Sequence, residues 1–317
     1  MTKFSFVVPA YNEEKNIPTL YQKVVSLMDS LGERDWELIF INDGSADRTW
    51  EILLEHSKKD SRVRGINLSR NFGHQAALGA GLTYARGDAI ISMDCDLQDP
   101  PEVVAEMISK WKEGFKIVYA RRLNYRKDNF IKRYASKFYY GLLDKFSEVN
   151  IPRNVGDFRL VDMKVQREMN KMRGKTPYFR GMVAWTGFKH TYVDYYRPDR
   201  EEGESGYTLS KLIQLGMTGL LGFSFLPLKI GFLLGNLSIL MGFGFLLYMI
   251  GDIIINDVYY HLYKFLVVFL FIFMGSFFIL IWILGEYIGR IYDEVRNRPL
   301  YIVHEKVNFD EDTAVKL

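Results

Sequence analysis

The chain has 317 residues, with 41 Lys and Arg against 38 Asp and Glu, for a formal net charge of +3. So small a surplus, with no basic stripe, argues against a nucleic-acid binder. Cys95 is the single cysteine, which excludes an intrachain disulfide and fits a reducing compartment.

Phe4-Ser5-Phe6-Val7-Val8-Pro9 predicts a buried first strand. Met1-Thr2-Lys3 leads straight into it, without the n-region or cleavage site of a secretory signal. Tyr11-Asn12-Glu13-Glu14 reads as a loop, and Ile17 to Leu31 as an amphipathic helix. Trp36 to Ile41 predicts a second strand, ending in the turn Asn42-Asp43-Gly44-Ser45 before a helix that starts near Asp47. Val63 to Leu68 predicts a third strand, and His74 to Ala85 a helix of small residues. Ala89 to Met93 gives a fourth strand, stopped by Asp99-Pro100-Pro101, and Ile117 to Ala120 a fifth. Strands alternating with helices predict an α/β fold with a mostly parallel sheet.

The second half of the chain differs. Residues 130–146 mix Lys132, Arg133, Lys137 and Lys145 with aromatics, as an interfacial amphipathic helix or a plain surface helix does. Leu209 to Phe223 reads as a second such element. Mean hydropathy is −0.07, but the average hides two uncharged runs, Ile230 to Ile250 with 21 residues and Phe265 to Leu284 with 20. Each is long enough to cross a hydrocarbon core of about 30 Å as a helix.

The sequence therefore predicts an α/β domain over 1–208, an interfacial linker over 209–228 and a two-helix transmembrane hairpin over 229–288, with spans at about 230–250 and 265–286. A tail follows over 289–317. Lys211 and Lys229 precede the first span, and Arg290, Arg296, Arg298 and Lys306 follow the second. The loop between them has no positive excess. The positive-inside rule puts both termini and the domain on the cytoplasmic side of an inner or plasma membrane. The tail segment Arg298 to Val303 is expected to form a strand that pairs with another subunit, giving a homo-oligomer.

Three polar clusters fall just after strands: Tyr11-Asn12-Glu13, Asp43-Gly44-Ser45, and Asp94 to Gln98. Open α/β sheets bind ligands at that edge. Asp94 and Asp96 are close carboxylates that suit Mg²⁺ or Mn²⁺, whose other positions go to phosphate and water. A D-x-D string also occurs as a turn of solvated acids. Tyr11 is placed to cover a base and Asp43 to accept a hydrogen bond from one. Gly79-Ala80-Gly81 fails the G-x-G-x-x-G spacing at Tyr84, and neither a P-loop nor H-E-x-x-H is present. His74 has no partner at ligand spacing and reads as structural or a minor contact.

The strings VVPAYNEEKNI, INDGSADRTWEIL, NLSRNFGHQAALGAGLTYARGD and MDCDLQDPPE resemble the family 2 glycosyltransferases of GT-A fold. Further on, VGDFRLVD, the run from Tyr178 to Tyr207, and GEYIGRIYDEVRNRPLYIV resemble its polyprenyl-phosphate branch. That branch includes undecaprenyl-phosphate glucosyltransferases and, more distantly, dolichyl-phosphate mannose synthases. The resemblance implies that Pro9, Tyr11, Glu13, Asp43 and Asp94 line the nucleotide-sugar site. It implies that Asp94, Asp96 and Gln98 gather around Mg²⁺ or Mn²⁺, and that Asp157 joins Asp96 at the reacting centre as base or orienting acid. Arg121, Arg159 and Arg200 would meet phosphate oxygens. One departure stands out: Gly203-Glu204-Ser205-Gly206-Tyr207 has Gly206 where the branch carries a lysine.

The expectation is an inverting, metal-dependent transfer of a sugar, best matched by glucose from UDP-glucose, to polyprenyl phosphate at the cytoplasmic face. Two alternatives stay open. One is a processive polysaccharide synthase, for which the chain lacks a Gln-x-x-Arg-Trp motif and further helices. The other is a non-catalytic, membrane-tethered nucleotide-sugar-binding scaffold.

Overall fold

The computed structural model describes residues 3–123, 155–172, 178–196, 262–296 and 298–309, with isolated positions between. The described residues at 3–196 and 299–309 fall in one compact unit, and those at 262–296 in a second.

The first unit is built on eight strands in the order β7-β5-β6-β4-β1-β2-β3-β8. β1 (Phe4–Ala10), β2 (Trp36–Asn42), β3 (Val63–Leu68) and β4 (Ala89–Ser92) are parallel neighbours. β1, β2 and β4 are buried at every residue, which is why they read as nearly continuous apolar runs. β5 (Ile117–Arg122) and β7 (His190–Tyr195) pair in parallel, and β6 (Val155–Asp162) runs antiparallel between β4 and β5. Four of the seven pairings among described residues are parallel, as expected.

Helices cover both faces. α1 (Asn16–Ser30) buries Ile17, Leu20, Val24, Leu27 and Met28, one stripe at helical spacing. α2 (Thr49–Lys59) follows β2, and α4 (Val103–Lys112) follows the Pro pair. α3 (His74–Tyr84) is rich in Ala and Gly for a packing reason. A Cβ on Gly81 would stand 2.4 Å from Val7 Cγ1 and 2.5 Å from Ile41 Cδ1. The helix lies that close to β1 and β2, and its first residue, His74, is held at the strand ends.

β6, β7, α5 (Met163–Lys171) and α6 (Phe179–Trp185) were not expected as elements. In β6 the polar Asp157 and Arg159 interrupt the apolar pattern yet are 9% and 2% exposed, because they neutralise each other.

The tail departs from expectation. Its strand is β8 (Val303–Val307), beginning where the expected segment ends, and it pairs antiparallel with β3 of the same chain. Ser69 N–H donates to Ile302 O at 3.0 Å, Trp50 Nε1 to Glu305 Oε2 at 3.2 Å, and Asn308 Nδ2 to the carbonyls of Ser57 and Val63 at 2.8 Å each. Intrachain bonds to α2, β3 and the loop after β3 fix this strand on the sheet.

In the second unit, α7 (Leu262–Val295) is a 34-residue helix that contains the second expected span. Over the described side chains alone, no helix is long and apolar enough to cross a membrane. The first span, apart from isolated positions, and the stretches 130–146 and 209–223 lie outside the described residues, as do Arg200 and the Gly206 loop.

Candidate active site

The carboxyl ends of β4, β1, β2 and β3 stand side by side, so the loops after them gather at one edge of the sheet. Hydrogen bonds tie the loops after β1 and β2 together. Asn12, in the left-handed region at φ 57°, donates its N–H to Ser45 Oγ at 2.9 Å, and its side-chain oxygen accepts from Ala46 N–H at 2.9 Å. Glu13 N–H donates to Thr49 Oγ1 at 2.9 Å. Pro9 is buried in β1, while Tyr11 projects at 49% exposure, free to lie against a flat ligand.

Asp43 is 3% exposed. Its carboxylate accepts from Phe72 N–H at 2.7 Å and Gly73 N–H at 2.9 Å, joining the β2 loop to the N-terminus of α3. Burial pushes its carboxyl above the usual range, against the pull of those amides. Gly44 beside it, at φ +66°, meets the backbone of Arg70 and Asn71 so closely that a Cβ would clash at 2.4 Å.

The Asp94 loop is folded on itself. Asp94 N–H donates to Asp99 Oδ2 at 3.2 Å, Gln98 N–H to Asp96 Oδ1 at 3.1 Å, and Leu97 takes φ 59°. Buried Asp99 also accepts from Tyr195 O–H at 3.0 Å, and Arg122 Nε donates to the same hydroxyl at 3.0 Å. The loop is thus braced from β5 and β7. Among the described residues, no three or more His, Cys, Asp and Glu side chains form a metal-holding group by themselves.

β6 completes the site. Ser92 of β4 pairs with Arg159, so Asp157, two residues earlier on an antiparallel strand, comes level with Asp94. The β5–β6 register slips between Tyr119 and Arg121, opposite Asp157. His74 Nε2 lies 3.7 Å from Asp94 Oδ1 and 3.7 Å from Asp157 Oδ2. Gln75 Nε2 donates to Asp157 Oδ2 at 3.2 Å, Arg159 to Oδ1 at 3.2 Å, and Arg180 reaches both oxygens at 3.4 and 3.3 Å. Desolvation alone would lower the His74 pKa, but Asp157 and Asp94 outweigh it and raise it to about 9. For Asp157, burial acts upward, yet Arg180, His74 and Arg159 hold the carboxyl well below its ordinary value. An acid so held is a weak proton acceptor and a strong anchor for oriented donors.

The remaining expected residues are placed as follows. Arg121 forms a two-pronged ion pair with Asp194 at 2.6 and 2.8 Å on the sheet's surface. Arg159 is buried beneath the site, and its Nη1 has no hydrogen-bond partner among the described residues. His74, read from sequence as structural or minor, instead links two site carboxylates. Gln75, Arg180, Asp99 and Tyr195 were not singled out. All four lie within strings that carried the resemblance, and that was the one available signal.

The sequence model of Glycosyl transferase family 2 matches residues 5–169. The chain belongs to that family. It is 44% identical over 308 residues to the glycosyltransferase YkcC of Bacillus subtilis (strain 168), covering 97% of this chain and 95% of the relative. It is 39% identical over 305 residues to a bactoprenol glucosyl transferase of Shigella phage SfII, covering 95% and 97%. Among solved structures, glucosyl-3-phosphoglycerate synthase from Mycobacterium tuberculosis, in complex with Mn²⁺, UDP and phosphoglyceric acid, aligns with a TM-score of 0.50 at 17% identity. The alignment covers 70% of this chain and 78% of that one. That likeness concerns the fold, which is GT-A. This family 2 glycosyltransferase is accordingly an enzyme that transfers a sugar.

Proposed function

We propose that the enzyme transfers glucose from UDP-glucose to a polyprenyl phosphate, with inversion, at the cytoplasmic face of a membrane. The observation that carries this reading is Asp157 brought level with Asp94 at the strand ends and neutralised by Arg180, Arg159 and His74. In the proposed step a phosphate oxygen of the acceptor forms a bond to the anomeric carbon while the bond to the UDP oxygen breaks. A phosphate acceptor is already anionic near neutral pH, so a weak base suffices, and Asp157 serves by orientation. The name of the phage relative supports the acceptor and the sugar.

Asp94, Asp96 and Gln98 fit a divalent cation by their chemistry: hard oxygen donors, few in number, leaving positions for phosphate and water. Such a cation would neutralise charge on the departing diphosphate. The Mn²⁺ and UDP in the mycobacterial complex support this choice, without deciding between Mg²⁺ and Mn²⁺.

A lipid acceptor requires membrane attachment, and α7 suits it. None of the 20 residues from Phe265 to Leu284 is charged, a run of about 30 Å as a helix. Leu266, Leu270, Phe273, Phe277, Ile281 and Trp282 are exposed along it. We read α7 as the second arm of a hairpin whose first arm is 230–250, with both termini cytoplasmic. β8 ends its side of the sheet, so its outer edge lacks a strand partner among the described residues. A homo-oligomer is part of the proposal, and crosslinking in membranes tests it.

The deciding experiment is transfer of labelled sugar to extracted membrane lipid, with a panel of UDP- and GDP-sugars, with and without EDTA. A metal-dependent glucolipid formed from UDP-glucose is expected. Absence of any lipid product from every donor overturns the reading and favours a nucleotide-sugar-binding scaffold.

A further inference from the structure

The tail strand does more than extend the sheet. In its pairing with β3, Leu68 stands opposite Val303 and Asn67 opposite Glu305. His304 is therefore the extra residue of a β-bulge. Bulges next to active sites re-aim a side chain. This one puts an exposed imidazole on the wall of an open cleft of about 400 Å³, shared with Asn42, Ser45, Asn67, Ser69 and Arg70. The cleft holds amides, hydroxyls, a guanidinium and an imidazole, and no carboxylate. It suits a ligand rich in oxygen and nitrogen that is neutral or anionic.

Its position ties it to the donor site. Asn42 and Gly44 flank Asp43 in sequence, and Ser45 Oγ holds the N–H of Asn12, next to Tyr11. Ser69 and Arg70 open the loop whose Phe72 and Gly73 amides grip Asp43, and Ser69 is itself fixed by Ile302 O. The side of the nucleoside site away from Asp94 is thus walled by a residue more than 200 positions later in the chain. Trp50, also on the cleft, anchors that residue's neighbour Glu305.

We propose that His304, delivered by the tail bulge, is a specificity-determining residue that contacts the nucleoside of the donor. The proposal rests on the nucleotide-sugar reading above and adds to it a site residue from the tail.

The test uses the full chain in detergent. Equilibrium binding of UDP and GDP in the presence of Mn²⁺ is measured for wild type, His304→Ala and His304→Gln, together with donor KM, lipid KM and kcat. Whichever nucleotide the wild type binds is the probe. His304→Ala is expected to weaken it and raise the donor KM by roughly tenfold, the size of one lost hydrogen bond. The lipid KM, kcat and thermal midpoint stay unchanged, because the side chain is exposed. His304→Gln, which keeps a donor and an acceptor, recovers part of the loss. Equal nucleotide binding by wild type and His304→Ala overturns this proposal and leaves the donor reading standing. A wild type that binds neither nucleotide overturns both.

Discussion

His74 Nε2 stands 3.7 Å from a carboxylate oxygen of Asp94, in the loop after β4, and 3.7 Å from one of Asp157, on the antiparallel neighbour β6. The imidazole ion-pairs with both acids. Without it, Asp157 keeps Arg159 and Arg180, but the loop carrying Asp94 loses a fixed point. His74→Ala is expected to lower kcat on the order of 10²-fold, the cost of about 1 Å of misplacement. Donor KM is expected to rise as well, because His74 holds Asp94 and follows Gly73, whose amide grips Asp43. A variant with wild-type kcat would show that the bridge is incidental.

Asp43 separates two roles that sequence alone merges. If it only read the base, Asp43→Asn would weaken UDP binding without touching stability. Its oxygens instead hold the Phe72 and Gly73 amides at 2.7 and 2.9 Å. Asp43→Ala strands both donors, at about 1–3 kcal/mol each. The expected outcome is a lower thermal midpoint together with weaker nucleotide binding, seen in a melt with and without UDP. An unchanged midpoint would return Asp43 to a purely ligand-facing role.

Tyr195 acts at one remove. Its hydroxyl donates to Asp99, which holds Asp94 N–H, and receives from Arg122. Tyr195→Phe removes the O–H and leaves the ring, which packs edge-on against Phe158. Activity is expected to fall by about tenfold, one hydrogen bond's worth. The Mn²⁺ concentration for half-maximal activity should rise, because the loop that carries Asp94 and Asp96 is loosened. A metal titration superimposable on the wild type's would argue that Asp99 holds the loop unaided.

The part of the fold that was legible in sequence is the part where one physical force acts alone. β1, β2 and β4 lie between two helical layers, so both faces are apolar and the runs are unmistakable. β6 was missed because Asp157 and Arg159 break its pattern, and their burial makes sense only once the two charges are seen together. The Asp94 loop was legible through its carboxylates and its Pro stop. His74 was not, because the partners that define it lie 20 and 83 positions away. A tail strand was expected over Arg298 to Val303, but it lies over Val303–Val307 and joins β3, since an edge strand's pattern does not say which sheet it joins. The pairing of Arg121 with Asp194 was not legible either, because it is set by the parallel register of β5 and β7.

Acid should weaken the domain in two stages. For His56 on α2, desolvation and then Lys59 lower the pKa below 6.5. The unfolded chain then takes up a proton more readily than the folded one as pH falls through 6.5, so stability is full above that value and declines below it. For Asp60, the hydrogen bond from Arg62 is the main cause of a pKa below 3.8. Its contribution is complete above 3.8 and is lost as pH falls further. Below pH 6.5, where His74 is protonated in both folded and unfolded chains and adds no slope, the thermal midpoint should therefore drop modestly down to pH 5.5, and His56→Gln should flatten that segment alone. A slope that His56→Gln leaves intact would assign it to another group.

Membrane attachment through α7 can be tested at a single exposed position. Phe273 lies near the middle of the uncharged run, at 47% exposure. An arginine there costs about 2.5–3.5 kcal/mol of insertion free energy when the helix spans a bilayer. A helix that merely rests in water would tolerate the same change within about 0.5 kcal/mol. Phe273→Arg is expected to shift the chain from the alkali-resistant membrane fraction toward the extractable one, while Phe273→Leu stays with the membrane. Lipid glucosylation should fall with the loss of attachment, but UDP binding by the first unit should not, because the nucleoside loops belong to a separately packed unit. If Phe273→Arg and the wild type partition identically, α7 does not sit in the bilayer, and the route by which the acceptor reaches Asp157 must be sought elsewhere on the chain.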